Sequence, residues 1–118
     1  MPQGARTDRV GQEFREIIAE EVQRLKDPRV GFVTITGVRV SADLRHAWVS
    51  YTSLGGERQR AATRAALRSA TPHLRRELGR QVRLKVLPEL RFEEDETIEA
   101  GERIDRILAD LERERERP

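Results

Sequence analysis

Phe32-Val33-Thr34-Ile35-Thr36-Gly37-Val38-Arg39-Val40 and Ala47-Trp48-Val49-Ser50-Tyr51-Thr52, joined by Ser41-Ala42-Asp43-Leu44-Arg45-His46, decide the fold. Apolar and polar residues alternate along both runs, the period of a strand with one buried face. Val33 and Ile35 share one parity, Val38 and Val40 the other, and Gly37 lies at the switch. A bulge there returns all four side chains to the core. Ser41-Ala42-Asp43 supplies a turn, so the two strands pair as an antiparallel hairpin. The opposite face then shows Thr34, Thr36, Arg39, His46, Trp48, Ser50 and Thr52, polar enough to meet solvent. Trp48 is the one aromatic expected on that face, where it would stack on a base, anchor a partner or lie partly covered.

Upstream of the hairpin, Val10, Phe14, Ile17, Ile18, Val22 and Leu25 recur at helical spacing, with charged residues on the other face. This first helix is expected to end at Asp27-Pro28, because a residue before proline leaves the α region and proline cannot donate to the preceding turn. Downstream, Gly55-Gly56 breaks the strand pattern, and the alanine-rich run from Arg60 to Ala70 reads as a second helix. Thr71-Pro72 has the form of an N-cap followed by proline at the first helical position. The second helix is therefore expected to be kinked, or to be two helices, the later one running from Pro72 to Leu78 and stopping at Gly79. Val82, Leu84 and Val86 alternate with Arg83 and Lys85 as a third strand, and Pro88 places its far end at an edge or bend. Ile98, Ile104, Ile107, Leu108 and Leu111 have the spacing of a last helix. The expected fold is α+β, in the order α-β-β-α-α-β with a C-terminal helix and a three-stranded sheet carrying helices on one face. Residues 1–111 form one domain, and 112–118 form a charged, disordered tail.

A chain of 118 residues, 36% hydrophobic and 37% charged, has material for one modest core. It contains no cysteine, which excludes disulfides and thiolate metal sites. No apolar run is long enough for a signal peptide or membrane span, so a cytoplasmic protein is expected. The formal net charge of +2 hides a segregation. Between Arg58 and Lys85 nine cations face Glu77 alone, whereas twelve acids face six arginines from Glu89 to Pro118. An ordinary solvated helix face alternates signs; a cationic stretch spread over connected elements is a polyanion-binding surface. Its candidate residues are Arg64, Arg68, Arg75, Arg76, Arg80, Arg83 and Lys85. Nearly all are arginine, whose planar fork suits phosphate oxygens; genomic base composition is the alternative source of an arginine bias.

Catalysis is not expected. With no cysteine, and with His46 and His73 on different elements lacking an obvious carboxylate partner, no nucleophile and base are paired. Glu93-Glu94-Asp95-Glu96 lacks the alternating ligands and internal glycine of a calcium loop, and reads instead as acids ahead of a helix N-terminus. No metal site and no cofactor are expected.

Three stretches together resemble a known family: Asp27-Pro28-Arg29-Val30 after the first helix, Val38 to Val49 through the hairpin, and Pro88-Glu89-Leu90-Arg91-Phe92-Glu93-Glu94-Asp95 before the last helix. In this order they are similar to bacterial ribosome-binding factor A, over about Arg6 to Leu111. The resemblance implies a type II K-homology (KH) fold in which an interhelical kink of Ala-x-Gly form replaces the GxxG loop. It also implies a noncatalytic, cofactor-free assembly factor that binds the small (30S) ribosomal subunit. Such a factor assists late maturation and 5′-end processing of precursor 16S rRNA and supports growth in the cold. The expected partners are the subunit and its RNA, with ribosomal proteins as further contacts and the factor itself a monomer. Here the kink reads Ala70-Thr71-Pro72, with proline in the glycine's place, which removes a backbone N–H. The alternative is a protein-interaction module that docks a ribosomal protein or other acidic partner through the same basic surface and Trp48.

Overall fold

The computed structural model describes residues 4–95 and residue 113. Its elements follow in the order α1 (Ala5–Gln23), β1 (Val33–Val40), β2 (His46–Ser53), α2 (Glu57–Gln81) and β3 (Glu89–Glu94). The three strands form one sheet in the order β1-β2-β3. β1 and β2 are antiparallel, whereas β2 and β3 are parallel. A parallel neighbour cannot be reached by a tight turn, so α2 is the crossover and packs back over the sheet. The fold is the expected α+β, KH-like arrangement with helices on one face.

The core lies between that face and the two helices. Phe14, Ile18 and Val22 of α1, spaced by four, meet Ile35, Val40, Ala47, Val49 and Tyr51 of the hairpin and Leu67, Leu74 and Leu78 of α2. Gly11 lets α1 approach closely, since a Cβ there would stand 2.6 Å from the Val38 carbonyl oxygen. The bulge falls where the parity switch places it. Ile35 pairs with Tyr51 and Gly37 with Ser50, leaving Thr36 unopposed, so that Ile35 and Val40 both reach the core. The first helix ends at Gln23, short of Pro28, and the following loop is held by Asp27, whose carboxylate accepts from the Arg29 amide at 2.9 Å and from its guanidinium.

Two expectations are corrected. Residues 82–86 are not a strand; β3 begins after Pro88, at Glu89, whose amide donates to the Arg45 carbonyl at 2.8 Å. The stretch before it is the return path from the end of α2, and Arg75 occupies the Leu87 and Pro88 carbonyls. The alternation belongs instead to Leu90 and Phe92, masked in the sequence by the charges around them. Nor does a new helix start at Pro72. Of the two alternatives, a kinked helix or two, the chain adopts one helix through Gly79 to Gln81 with Pro72 inside it. The Thr71 hydroxyl donates back to the Leu67 carbonyl at 2.9 Å rather than capping a new N-terminus. Ala70 and Leu74 continue the inward face across the proline, and Pro72 itself is exposed. The last helix, expected from Ile98 to Leu111, lies outside the described residues, as does the tail apart from Arg113, which is helical and exposed.

Candidate nucleic-acid interface

The cations of α2 fall on different sides of the helix because 3.6 residues make a turn. Arg64 and Arg68, four apart, stand with Thr71 beside β3, the outer strand of the sheet. Together with Leu90, Arg91, Phe92 and Glu93 they line an open groove of about 520 Å³. Arg68 is exposed and has no ion pair among the described residues. Arg64 is half exposed, with Nη2 3.7 Å from Glu94 Oε1 and 3.9 Å from Glu57 Oε1. Arg76 and Arg80 lie on the outer face, where Arg80 Nη1 bonds Glu77 Oε1 at 2.9 Å. Arg83 and Lys85 are exposed in the loop between α2 and β3, and so do not share a strand face.

Arg75, expected on the polyanion-binding surface, is turned instead to the backbone. It is partly buried, and its Nε and Nη2 donate to the Pro88 and Leu87 carbonyls at 2.9 and 3.2 Å. That bidentate clamp satisfies two loop carbonyls that accept no backbone hydrogen bond among the described residues. Ala70, Thr71 and Pro72, the expected kink, sit mid-helix, with Thr71 on the groove wall and Ala70 turned toward the core.

The acidic run begins inside the sheet, and the helix expected after it lies outside the described residues. Glu93 and Glu94 belong to β3, and Glu94 faces inward. Its oxygens accept from Arg60 Nε and Nη2 at 3.0 and 3.1 Å and from the Ser53 hydroxyl at 2.9 Å. The Arg60 hydrogen bonds hold the Glu94 carboxyl below the usual range despite its burial. Tyr51, beneath this cluster, has its hydroxyl pushed up by burial and then by the Glu94 charge. The cluster therefore ties the ends of β2 and β3 to the start of α2. Among the described residues no group of three or more His, Asp or Glu side chains is placed to hold a metal ion.

Trp48 does point from the open sheet face, partly covered. The Arg39 guanidinium lies over its ring at 4.9 Å, and Arg39, Trp48 and Arg91 form one cross-strand row. Glu89 and Glu93 share this face, and Glu89 Oε2 is 3.8 Å from His46 Nδ1. With its charges mixed, the open face is less suited to a polyanion than the α2 side is. Three cations escaped the sequence reading: Arg91 in the first groove, and Arg6 and Arg45, which line a second groove with Arg83 and Lys85. No linear charge run includes them; only the interleaving of Arg91 between Leu90 and Phe92 was available as a signal.

A sequence profile described as Ribosome-binding factor A matches residues 6–108. The chain belongs to the ribosome-binding factor A family. The ribosome-binding factor A of Geobacter sulfurreducens is 45% identical over 111 residues, covering 93% of this chain and 94% of that protein. The crystal structure of ribosome-binding factor A from Thermus thermophilus superposes with a TM-score of 0.67 at 32% identity, covering 75% of this chain and 94% of that one. A homology model of the Thermus thermophilus factor, fitted into the cryo-electron microscopy map of a 30S complex of that factor, is also similar. Its TM-score is 0.63 at 30% identity, over 75% of this chain and 94% of that one.

Proposed function

We propose that this protein is a noncatalytic assembly factor of the small ribosomal subunit, held to ribosomal RNA through phosphate contacts made by the α2 arginines and the loop that follows. It acts late in subunit assembly in the cytoplasm, as a monomer. It assists 5′-end processing of precursor 16S rRNA and supports growth in the cold, the roles that family membership suggests. The Thermus thermophilus relative fitted into a 30S complex supports the choice of partner. One observation carries the RNA reading. Of the nine cations between Arg58 and Lys85, five (Arg58, Arg68, Arg76, Arg83 and Lys85) are exposed and form no ion pair among the described residues. Unpaired cations of one sign gain most from a polyanion, and release its counterions on binding. Shape and charge, rather than base edges, would set the contact, since phosphate contacts position without reading sequence.

Association with purified small subunits tests this. Arg68→Glu with Arg76→Glu should reduce binding at least tenfold and flatten its salt dependence, while melting as the unaltered protein does. Unchanged subunit binding by that variant would remove the α2 surface from the RNA interface. The comparison of protein-depleted 16S rRNA with intact subunits separates an RNA contact from docking on a ribosomal protein.

A further inference from the structure

We propose that the end of the sheet carries a second RNA-phosphate site, distinct from the groove between α2 and β3 and built by Arg6, Arg45, Arg83 and Lys85. This rests on the RNA reading above and extends it to residues outside the basic segment. Arg6 comes from the first turn of α1, Arg45 from the turn between β1 and β2, and Arg83 and Lys85 from the loop between α2 and β3; all four line one open groove. They are exposed, and none forms an ion pair among the described residues. The acid beside them, Asp43, is already engaged: its Oδ1 accepts from the Ser41 hydroxyl at 2.7 Å and from the Arg45 amide at 3.1 Å. Four like charges from three distant segments converge with one locally satisfied carboxylate. Their mutual repulsion is relieved by a bound polyanion.

The groove is also built on fixed backbone. Ser41 closes the hairpin turn, its amide donating to the His46 carbonyl at 2.9 Å and its hydroxyl accepting from the His46 amide at 3.0 Å. Leu44 holds a left-handed conformation at φ 62°, unusual for a residue with a side chain, while its side chain packs against the core. On the other wall, the Arg75 clamp on the Leu87 and Pro88 carbonyls anchors the loop that carries Arg83 and Lys85. Cations presented by anchored loops lose less freedom on binding. Between them Leu44 and Leu84 are half buried and Val86 is 55% exposed, an apolar floor for a ribose or base. That combination fits a nucleic-acid strand better than a free inorganic anion, which has no apolar part. The two sites are separated along α2, with Arg68 thirteen residues before the helix ends, about 20 Å. They would grip one RNA at two points.

The test uses the full chain, with purified small subunits and protein-depleted 16S rRNA as probes. Arg6→Gln with Arg45→Gln, and separately Arg83→Gln with Lys85→Gln, should each weaken binding to both probes about tenfold or more. Each pair should also lower the slope of log affinity against log salt by about 1.4, or about 0.7 for each phosphate no longer neutralised. Lys26→Gln makes the same charge change beyond the far end of α1, whose 19 residues span about 28 Å, and should leave both quantities unchanged. If a double variant loses its fold, its single variants are read for half the slope change. Wild-type affinity and slope for Arg6→Gln/Arg45→Gln, with binding lost in Arg68→Glu/Arg76→Glu, would overturn the second site and leave the first standing. Weakened binding to subunits but not to 16S rRNA would overturn it in favour of an acidic protein. If every variant binds as the unaltered chain does, the second site and the RNA reading fall together.

Discussion

Arg75 and Arg68 lie seven residues apart on one helix and have opposite work. Arg75 donates to two loop carbonyls at 2.9 and 3.2 Å, and without it these partly buried acceptors lose charge-assisted bonds. Arg75→Ala should destabilise the protein by about 1–3 kcal/mol in urea unfolding. Arg68→Ala should stay within about 0.5 kcal/mol, as expected for an exposed unpaired side chain, while weakening subunit binding. Equal stabilities for the two variants would remove the structural role assigned to Arg75. In the sequence both read as cations on a basic helix. Only the arrival of Leu87 and Pro88 beside one of them separates the two, and that arrival depends on where the loop after α2 is laid down.

At the scale of elements, the proline inside α2 is the clearest case of packing overriding a local signal. Thr71-Pro72 has the local form of a helix start, yet Leu67, Leu74 and Leu78 are all fully buried on one continuous inward face. Burying two large aliphatic side chains beyond the proline contributes about 3–6 kcal/mol. Proline in a helix interior costs about 3 kcal/mol, so the continuous helix wins. Pro72→Ala restores the amide that can bond the Arg68 carbonyl, and its greater unfolded-state freedom offsets only about 1 kcal/mol of that gain. The variant should therefore be more stable by about 1–2 kcal/mol, seen as a raised melting temperature. A lowered one would mean that Pro72 occupies a first-turn position after all. The first helix, the hairpin and its bulge were legible because each rests on a periodicity within ten or twenty residues. The third strand was not, because Glu89, Arg91, Glu93 and Glu94 obscure the period-two signal of Leu90 and Phe92, and the acid on the inner face is acceptable only where Arg60 waits for it.

At the scale of the whole molecule, the Glu94 cluster joins α2, β2 and β3, and its pH dependence follows from the direction of the shift. The Arg60 hydrogen bonds lower the Glu94 pKa in the folded state, so the unfolded chain binds more protons at acid pH. The stabilisation is fully present above the unfolded carboxylate value, about 4.3, and is lost as pH falls through the lower folded value. Glu94→Gln should cost about 1–3 kcal/mol at neutral pH by replacing the carboxylate that accepts two Arg60 hydrogen bonds with a neutral amide. It should also make the loss of stability below pH 5 shallower. Urea midpoints across that range check both, and an unchanged acid limb would remove Glu94 from the account. Local period and composition suffice for α1, the hairpin with its bulge at Gly37, the α+β class and the concentration of positive charge between Arg58 and Lys85. Long-range packing sets where β3 pairs, carries α2 through Pro72, diverts Arg75 to the backbone and brings Arg6, Arg45 and Arg91 into the cationic grooves. Each of these outcomes depends on which distant residues meet when the crossover helix is folded back on the sheet.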